Sequence, residues 1–317
     1  MNRFSLLILC LLSLLASACH RSTGEFCPEL DYTVQDKYLQ QLPAPFPPLS
    51  ESERQQDWGR EYTIGLGFSH QLDLYQAITA FKRAEFLTPK TDTERLLEMR
   101  YEILLCYYLG QKYSDVVYEF EHGSLQCTTP AFPAFHDLLL ILYDSYQKLG
   151  DEDRAQHMLS LIRAHYPATA EKLELTQAVS KADFQRLKYF SETPPNDSSV
   201  KPFLDNYNAQ RKSRSTAQLL NAFVPGAGYF YLGQPQSGVT AMLLNGLFIW
   251  AAYHFYHHGN YPAGAIFTSF ELGWYIGGIV GAGLEARYYN ERIYERLATP
   301  MMNHQRLFPV LMLRYGF

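Results

Sequence analysis

The chain has 317 residues, a formal net charge of −5 and 47% apolar side chains. Its mildly acidic balance leaves no electrostatic footprint for nucleic acid, and its length suits two or three units rather than one. Tyr and Phe number 24 and 20, which fits aromatic-filled helical packing or the aromatic belts of a membrane interface.

The N-terminus reads as an export signal. "MNR" supplies a cation, "FSLLILCLLSLL" is an apolar run too short to span a bilayer comfortably, and "ASAC" supplies small residues for cleavage. Residues 1–18 are therefore expected to be a signal peptide, with Ala16 and Ala18 fitting the A-x-A rule. Cys19 falls at the first mature position, so "LASAC" also resembles a bacterial lipoprotein box, although Ala16 stands where that box usually carries Leu. The resemblance implies a lipid anchor at Cys19; an unmodified residue beside an ordinary cleavage site is the alternative. Cys27, Cys106 and Cys127 remain, with no C-x-x-C motif. A Cys106–Cys127 bridge, a Cys27–Cys127 bridge and free core thiols all stand open.

Residues 19–56 read as an anchor arm and Pro-rich linker. The prolines of "LPAPFPPLS" (42–50) exclude a helix there and predict an extended, polyproline-like spacer. Residues 57–190 are expected to form a repeat domain. "YTIGLGFSHQLDLYQAITAFKRAEFLTP" carries Gly65, Phe68, Ala77, Phe81, Ala84 and Pro89 in the order small, aromatic, small-x₃-aromatic-x₂-small, Pro. This spacing resembles the tetratricopeptide family, in which small residues let two antiparallel helices approach, an aromatic fills the groove and Pro ends the second helix. A second, degenerate copy places Tyr107, Gly110 and Phe120, with Val116 where Ala is preferred and a turn one residue longer. A third has Tyr146, Gly150, Ala155, Leu159, Ile162 and Pro167. Three copies suffice for a short solenoid, which 168–190 would close as one polar capping helix. The resemblance covers about a third of the chain and implies a concave face that binds a protein or peptide. Residues 191–216, with "SETPPNDSSVKP", read as a linker.

A membrane module is expected over 217–297. Its spans are predicted at about 238–256, which holds no charge unless His254 is protonated, and 262–284, interrupted by one acid, Glu271. The stretch 217–233 is read as a hairpin-loop lead-in, with a re-entrant or third span as the alternative. Its "VPGAGYFYLGQPQSG" (Pro225, Gly226, Gly228, Tyr231, Gly233, Gly238) resembles the P-G-x-G-x-x-Y-x-G signature of a small two-transmembrane-helix domain family, with Tyr229 where many relatives have Gln. Gly273, Gly277 and Gly281 recur every fourth residue, a stripe suited to close helix contact in lipid, with Gly246 as a facing residue and homo-oligomerisation as a consequence. Glu271 is costly in a span and is a functional candidate, with His254, Asn245 or Arg287 as partners. His254 and His258 lie at i, i+4 without a third ligand, so no metal and no cofactor is expected. Cations flank both outer ends of the hairpin (Arg211, Lys212, Arg214; Arg287, Arg292, Arg296), which the positive-inside rule places in the cytoplasm, whereas the export signal places the repeats outside it. In the 298–317 tail, Leu313, Tyr315 and Phe317 would share one strand face, an alternation read as chance rather than as a barrel signature.

The sequence thus predicts an all-α chain: a tetratricopeptide-like solenoid plus a transmembrane hairpin. It would act as a non-enzymatic, membrane-anchored adaptor in the bacterial periplasm, the inner membrane being favoured. Its partner would be an envelope protein or peptide, with membrane lipid around the module and no nucleic acid. The alternative is a subunit of an envelope transport or export machine in which Glu271 acts in the membrane.

Overall fold

The computed structural model describes residues 26, 28–30, 36–194 and 197–317, so the signal segment, Cys19 and Cys27 lie outside the described residues. The described chain is all-α, with no strand. Its described residues divide into two compact units, one of Glu29–Ala209 with Glu295–Phe317 and one built on Gln210–Tyr294.

In the first unit, α1 (Asp36–Gln40) and α2 (Glu51–Gln55) precede four helix pairs: α3 (Asp57–His70) with α4 (Leu74–Leu87), α5 (Thr93–Leu109) with α6 (Tyr113–Glu121), α7 (Phe135–Leu149) with α8 (Glu152–His165), and α9 (Pro167–Ser180) with α10 (Phe184–Glu192). One turn joins each pair. A left-handed residue occupies it every time: Leu72, Gln111, Gly150 and Ala182, at φ 59°, 56°, 77° and 49°. The next amide bonds back to a carbonyl in the helix just ended: Asp73 to Phe68, Lys112 to Tyr107, Asp151 to Tyr146 and Asp183 to Ala178, at 2.8–3.0 Å. This is the helix-ending motif that satisfies orphan carbonyls. Five residues beyond each left-handed position stands a fully buried side chain, Ala77, Val116, Ala155 or Leu187. That register changes two expectations. The second turn is not lengthened, because its left-handed residue is Gln111 and not Gly110, which sits at φ −77°. The segment 168–190 is not a single cap but a fourth pair.

Two segments read as linkers are packed instead. Within 191–216, α11 (Asp197–Gln210) buries Val200, Phe203 and Tyr207, and Tyr207 stacks on Phe184 at 5.5 Å. The Pro-rich stretch does not stand off as a spacer, since Leu49 is buried and Phe46 meets Tyr101 and Phe132 at 5.7 and 5.5 Å. Apolar burial outweighs the extended preference of the prolines, which fix φ but do not prevent packing. The C-terminal tail is no strand: α16 (Pro309–Met312) is a single helical turn, and Leu313 and Phe317 are buried.

The second unit contains α12 (Arg214–Phe223), α13 (Ala227–Tyr231), α14 (Pro235–His257) and α15 (Tyr261–His304), whose last turns from Glu295 belong to the first unit. Helices α14 and α15 are long and apolar enough to cross a membrane, and only 22% and 6% of their most apolar windows are buried. A core helix of a soluble protein would be mostly buried, so their composition is not explained by internal packing. Helix α12 has 10 residues, about 15 Å of rise against a hydrocarbon core of roughly 30 Å. A third span over 217–233 is therefore excluded.

Candidate functional site

The repeat motif residues occupy the helix contacts within pairs. Gly65 is buried on α3, and a β-carbon there would lie 2.6 Å from the Phe81 ring. Ala77, Phe81 and Ala84 are fully buried on α4, and Pro89 lies just past that helix. Phe120 is half-buried on α6, while Tyr146 is buried, donates to Glu121 (3.4 Å) and lies under Arg154 at 4.9 Å. Pro167 opens α9 at its first helical position, where its missing N–H is no loss. These are packing residues.

The face presented by the first helices of the pairs is occupied by the chain's own ends. Tyr101 of α5 carries Phe46. Asp137 of α7 is fully buried; its Oδ2 accepts the N–H groups of Arg314 and Tyr315, each at 2.9 Å, and its Oδ1 faces His136 Nδ1 at 2.5 Å. Thr176 of α9 donates to the Leu307 carbonyl, Tyr38 to that of Leu311 (3.0 Å), and the Gly316 amide to that of Pro43 (3.0 Å). Arg314 covers the Tyr166 ring at 5.2 Å. The surface expected to receive a partner is thus filled in cis. The sequence held no readable signal of this, because an aspartate in an apolar helix and two backbone amides carry no motif.

Between α3 and α5 lies a buried acidic stripe. Tyr62 donates to Glu98, which Arg95 also binds at 2.7 Å, while Arg95 reaches Glu53 at 2.9 Å. The Arg95 hydrogen bond, with those from Ser50, holds the Glu53 carboxyl down to about 2. Burial pushes Glu98 up, and Glu102 well up. Sequence reasoning passed over Glu98 and Glu102, although carboxylates at i, i+4 in an apolar helix were the available signal. Cys106 is buried and Cys127 exposed, and among the described residues no bridge forms, so the two are not joined to each other; the Cys27–Cys127 alternative falls outside the described residues.

In the second unit the glycine motif ties the helices together. Gly226 adopts φ 96° and its amide donates to Asn221 Oδ1 at 2.8 Å. A β-carbon at Gly238 would strike the Phe230 ring at 2.8 Å, and one at Gly228 the Ala217 carbonyl. Gly233 takes the left-handed turn at φ 75°. Pro225 lines the groove described below. Tyr231 accepts from the Ser213 amide at 3.1 Å, lies under Lys212 at 4.9 Å and packs with Tyr229 on Ala217, Leu232, Ala282 and Ala286. Asn290 clasps the Lys212 backbone through two hydrogen bonds of 2.7 and 2.9 Å. The motif is thus a packing knot, where bulk at four glycines would break contacts or φ.

A groove of about 910 Å³ opens beside this knot, lined along α15 from Ser269 to Tyr288 and along α14 from Gln236 to Asn245. Gly273 and Gly277 line it, and a β-carbon at either would meet nothing. The same holds at Gly246, so Gly246 and this stripe do not pack on each other as expected; only Gly281 is used internally, against the Tyr229 hydroxyl. Glu271 Oε2 is buried and accepts no hydrogen bond. None of its expected partners binds it: Arg287 pairs with Glu291 at 3.5 Å, Asn245 donates to the Ala241 carbonyl, and His254 is exposed, its ring tilted against that of His258 at 4.2 Å. Among the described residues no cluster of ligating side chains could hold a metal. No family model, no curated protein and no solved structure matches the chain.

Proposed function

We propose that this is an exported, non-enzymatic scaffold of a bacterial envelope, with α14 and α15 in a membrane, the inner one by preference, and the repeat pairs in the periplasm holding a protein or peptide partner. The observation that carries this reading is the fourfold recurrence of one helix pair with one turn, in a chain that also has two helices of spanning length. Stacked helix pairs serve as binding surfaces, as the tetratricopeptide resemblance implies. That the chain's own ends fill the first-helix face supports a partner site on the second helices. Tyr75 and Phe86 on α4 are 82% and 83% exposed, and Tyr118 on α6 is also exposed. Lys82, between them, is held by Glu119 at 2.6 Å and by the Tyr107 hydroxyl at 3.1 Å.

In-cell photo-crosslinking from positions 75, 86 and 118 tests this. The expected result is one dominant envelope protein captured from all three, with capture from positions 75 and 118 lost on Phe86→Ala. Equal, unspecific capture from these positions and from exposed Tyr189 on α10 would refute it.

A second reading rests on the unpartnered Glu271 oxygen, an acid that a span does not hold without cause. Here the chain would be a transport or export subunit in which Glu271 carries a proton. Glu271→Gln would then abolish function at unchanged protein level, whereas a scaffold would keep it.

A further inference from the structure

The groove of the second unit has one feature that packing within the protomer does not explain. Asn245 is only 4% exposed and lines the groove, yet its Oδ1 accepts no hydrogen bond, while its Nδ2 donates to the Ala241 carbonyl at 2.6 Å. In hydrocarbon such an orphan acceptor has no water to turn to. Beside it, Gly273 and Gly277 expose bare backbone on the same groove wall. The α15 wall runs from Ser269 to Tyr288, about 28 Å of rise, the thickness of a bilayer core.

We propose that this groove seats a second copy of the chain, with the two α15 glycine stripes crossing and the two Asn245 amides meeting across a two-fold axis. The inference rests on α14 and α15 being spans. Bare glycines at every fourth residue permit the backbone approach that drives helix pairing in lipid, and such a stripe is complementary to itself. A two-fold axis along the membrane normal puts like residues at like depth. Each Asn245 therefore lies at the level of the other, and a turn of its side chain, which keeps Oδ1 covered in the lone protomer, brings that oxygen to the other's second amide hydrogen. The stacking of Phe255 on Phe267 and of Phe248 near Phe270 sets Asn245 at the level of Gly273 and Trp274, where the stripes cross. An acyl chain fills a groove of this length but donates no hydrogen bond, so it leaves Asn245 unsatisfied.

The test uses the full chain, one dye per copy, in phosphatidylethanolamine/phosphatidylglycerol vesicles, with bleaching steps counted as protein is diluted into lipid. Gly277→Leu enters open space in the protomer and leaves the fold intact, as does the control Gly246→Leu, which lies outside the groove. The wild type and Gly246→Leu are expected to bleach in two steps, Gly277→Leu in one. Asn245→Val is expected to raise the dimer dissociation constant about tenfold. One-step bleaching of the wild type at every density, or a two-step Gly277→Leu, would overturn the proposal. So would a photo-crosslinker at position 277 that captures only a different protein. Alkaline carbonate extraction run in parallel separates the premise: release of the chain from the vesicles refutes the spans themselves, whereas a retained monomer refutes only the pairing.

Discussion

A single methyl group added at Gly65 would sit 2.6 Å from two carbons of the Phe81 ring, in a contact already closed by Tyr62, whose ring lies 5.5 Å from that of Phe81. Gly65→Ala should therefore destabilise the chain by about 1–3 kcal/mol through overpacking. Phe81→Leu in the same chain should recover part of that loss, and the coupling is read from a double-mutant cycle of thermal unfolding. Simple additivity would show that the two residues do not share the space. Glu102 makes a different case, because its effect depends on pH. Burial raises its pKa well above the ordinary 4.5, so the folded chain holds a proton that the unfolded chain releases. The stabilising contribution is complete below pH 4.5 and is lost as pH rises toward the folded value, at about 1.4 kcal/mol per pH unit. Glu102→Gln keeps the shape without the titration. Its stability should fall less than that of the wild type between pH 5 and pH 8 in urea unfolding; parallel losses would mean that Glu102 is not protonated in the native state.

At the scale of the element, the helix pairs differ in how their second helices begin. Asp73, Asp151 and Asp183 each cap the helix that follows with a side-chain oxygen, bonded to the amides of Gln76, Arg154 and Arg186 at 3.1–3.3 Å. The second pair has Lys112 in the same place, at φ −92° and ψ 62°, and no side-chain cap. Lys112→Asp should stabilise the chain by about 0.5–1 kcal/mol, read as a higher urea midpoint at unchanged slope. An unchanged midpoint would mean that α6 does not limit stability. The same turns show which elements were legible in sequence. The first and third pairs were read because small and aromatic residues stand at the spacing that close helix packing demands. The second pair was misaligned by one residue, since Gly110 invites the left-handed position that Gln111 occupies. The fourth pair was missed because Ala182 fills its turn, and nothing in an alanine announces positive φ. Helix α11 was hidden by its Ser, Pro and Asn content, although Val200, Phe203 and Tyr207 recur at i, i+3 and i+7. The two long apolar helices were legible because length and apolarity alone define them. The groove was not, because it depends on which glycines the protomer leaves unpacked.

For the whole molecule, the first-helix face of the repeat pairs is held by chemistry from the far end of the chain. Asp137 contributes one fully buried carboxylate to two backbone amides 177 and 178 residues away. Hydrogen bonds to a buried charge contribute roughly 1.5–3 kcal/mol each, and two from consecutive amides fix the tail in register. The His136 ring on Oδ1 bonds Thr169 of α9 at 3.0 Å through its other nitrogen, so the carboxylate also joins α7 to α9. The tail is therefore part of the repeat fold rather than an appendage, which explains why Leu313 and Phe317 are buried while the sequence around them resembles a free strand. Asp137→Asn keeps the size but removes the charge and one acceptor. It should cost about 2–4 kcal/mol, and the amides of Arg314, Tyr315 and Gly316 should lose hydrogen-exchange protection together, before the helix pairs do. If the tail is the occupant that keeps a partner off the first helices, crosslinking in that variant should spread from the exposed α4 positions to Tyr101 and Thr176. Protection retained at all three amides would show that the tail is held by its apolar contacts alone, and that the carboxylate serves only to join α7 and α9.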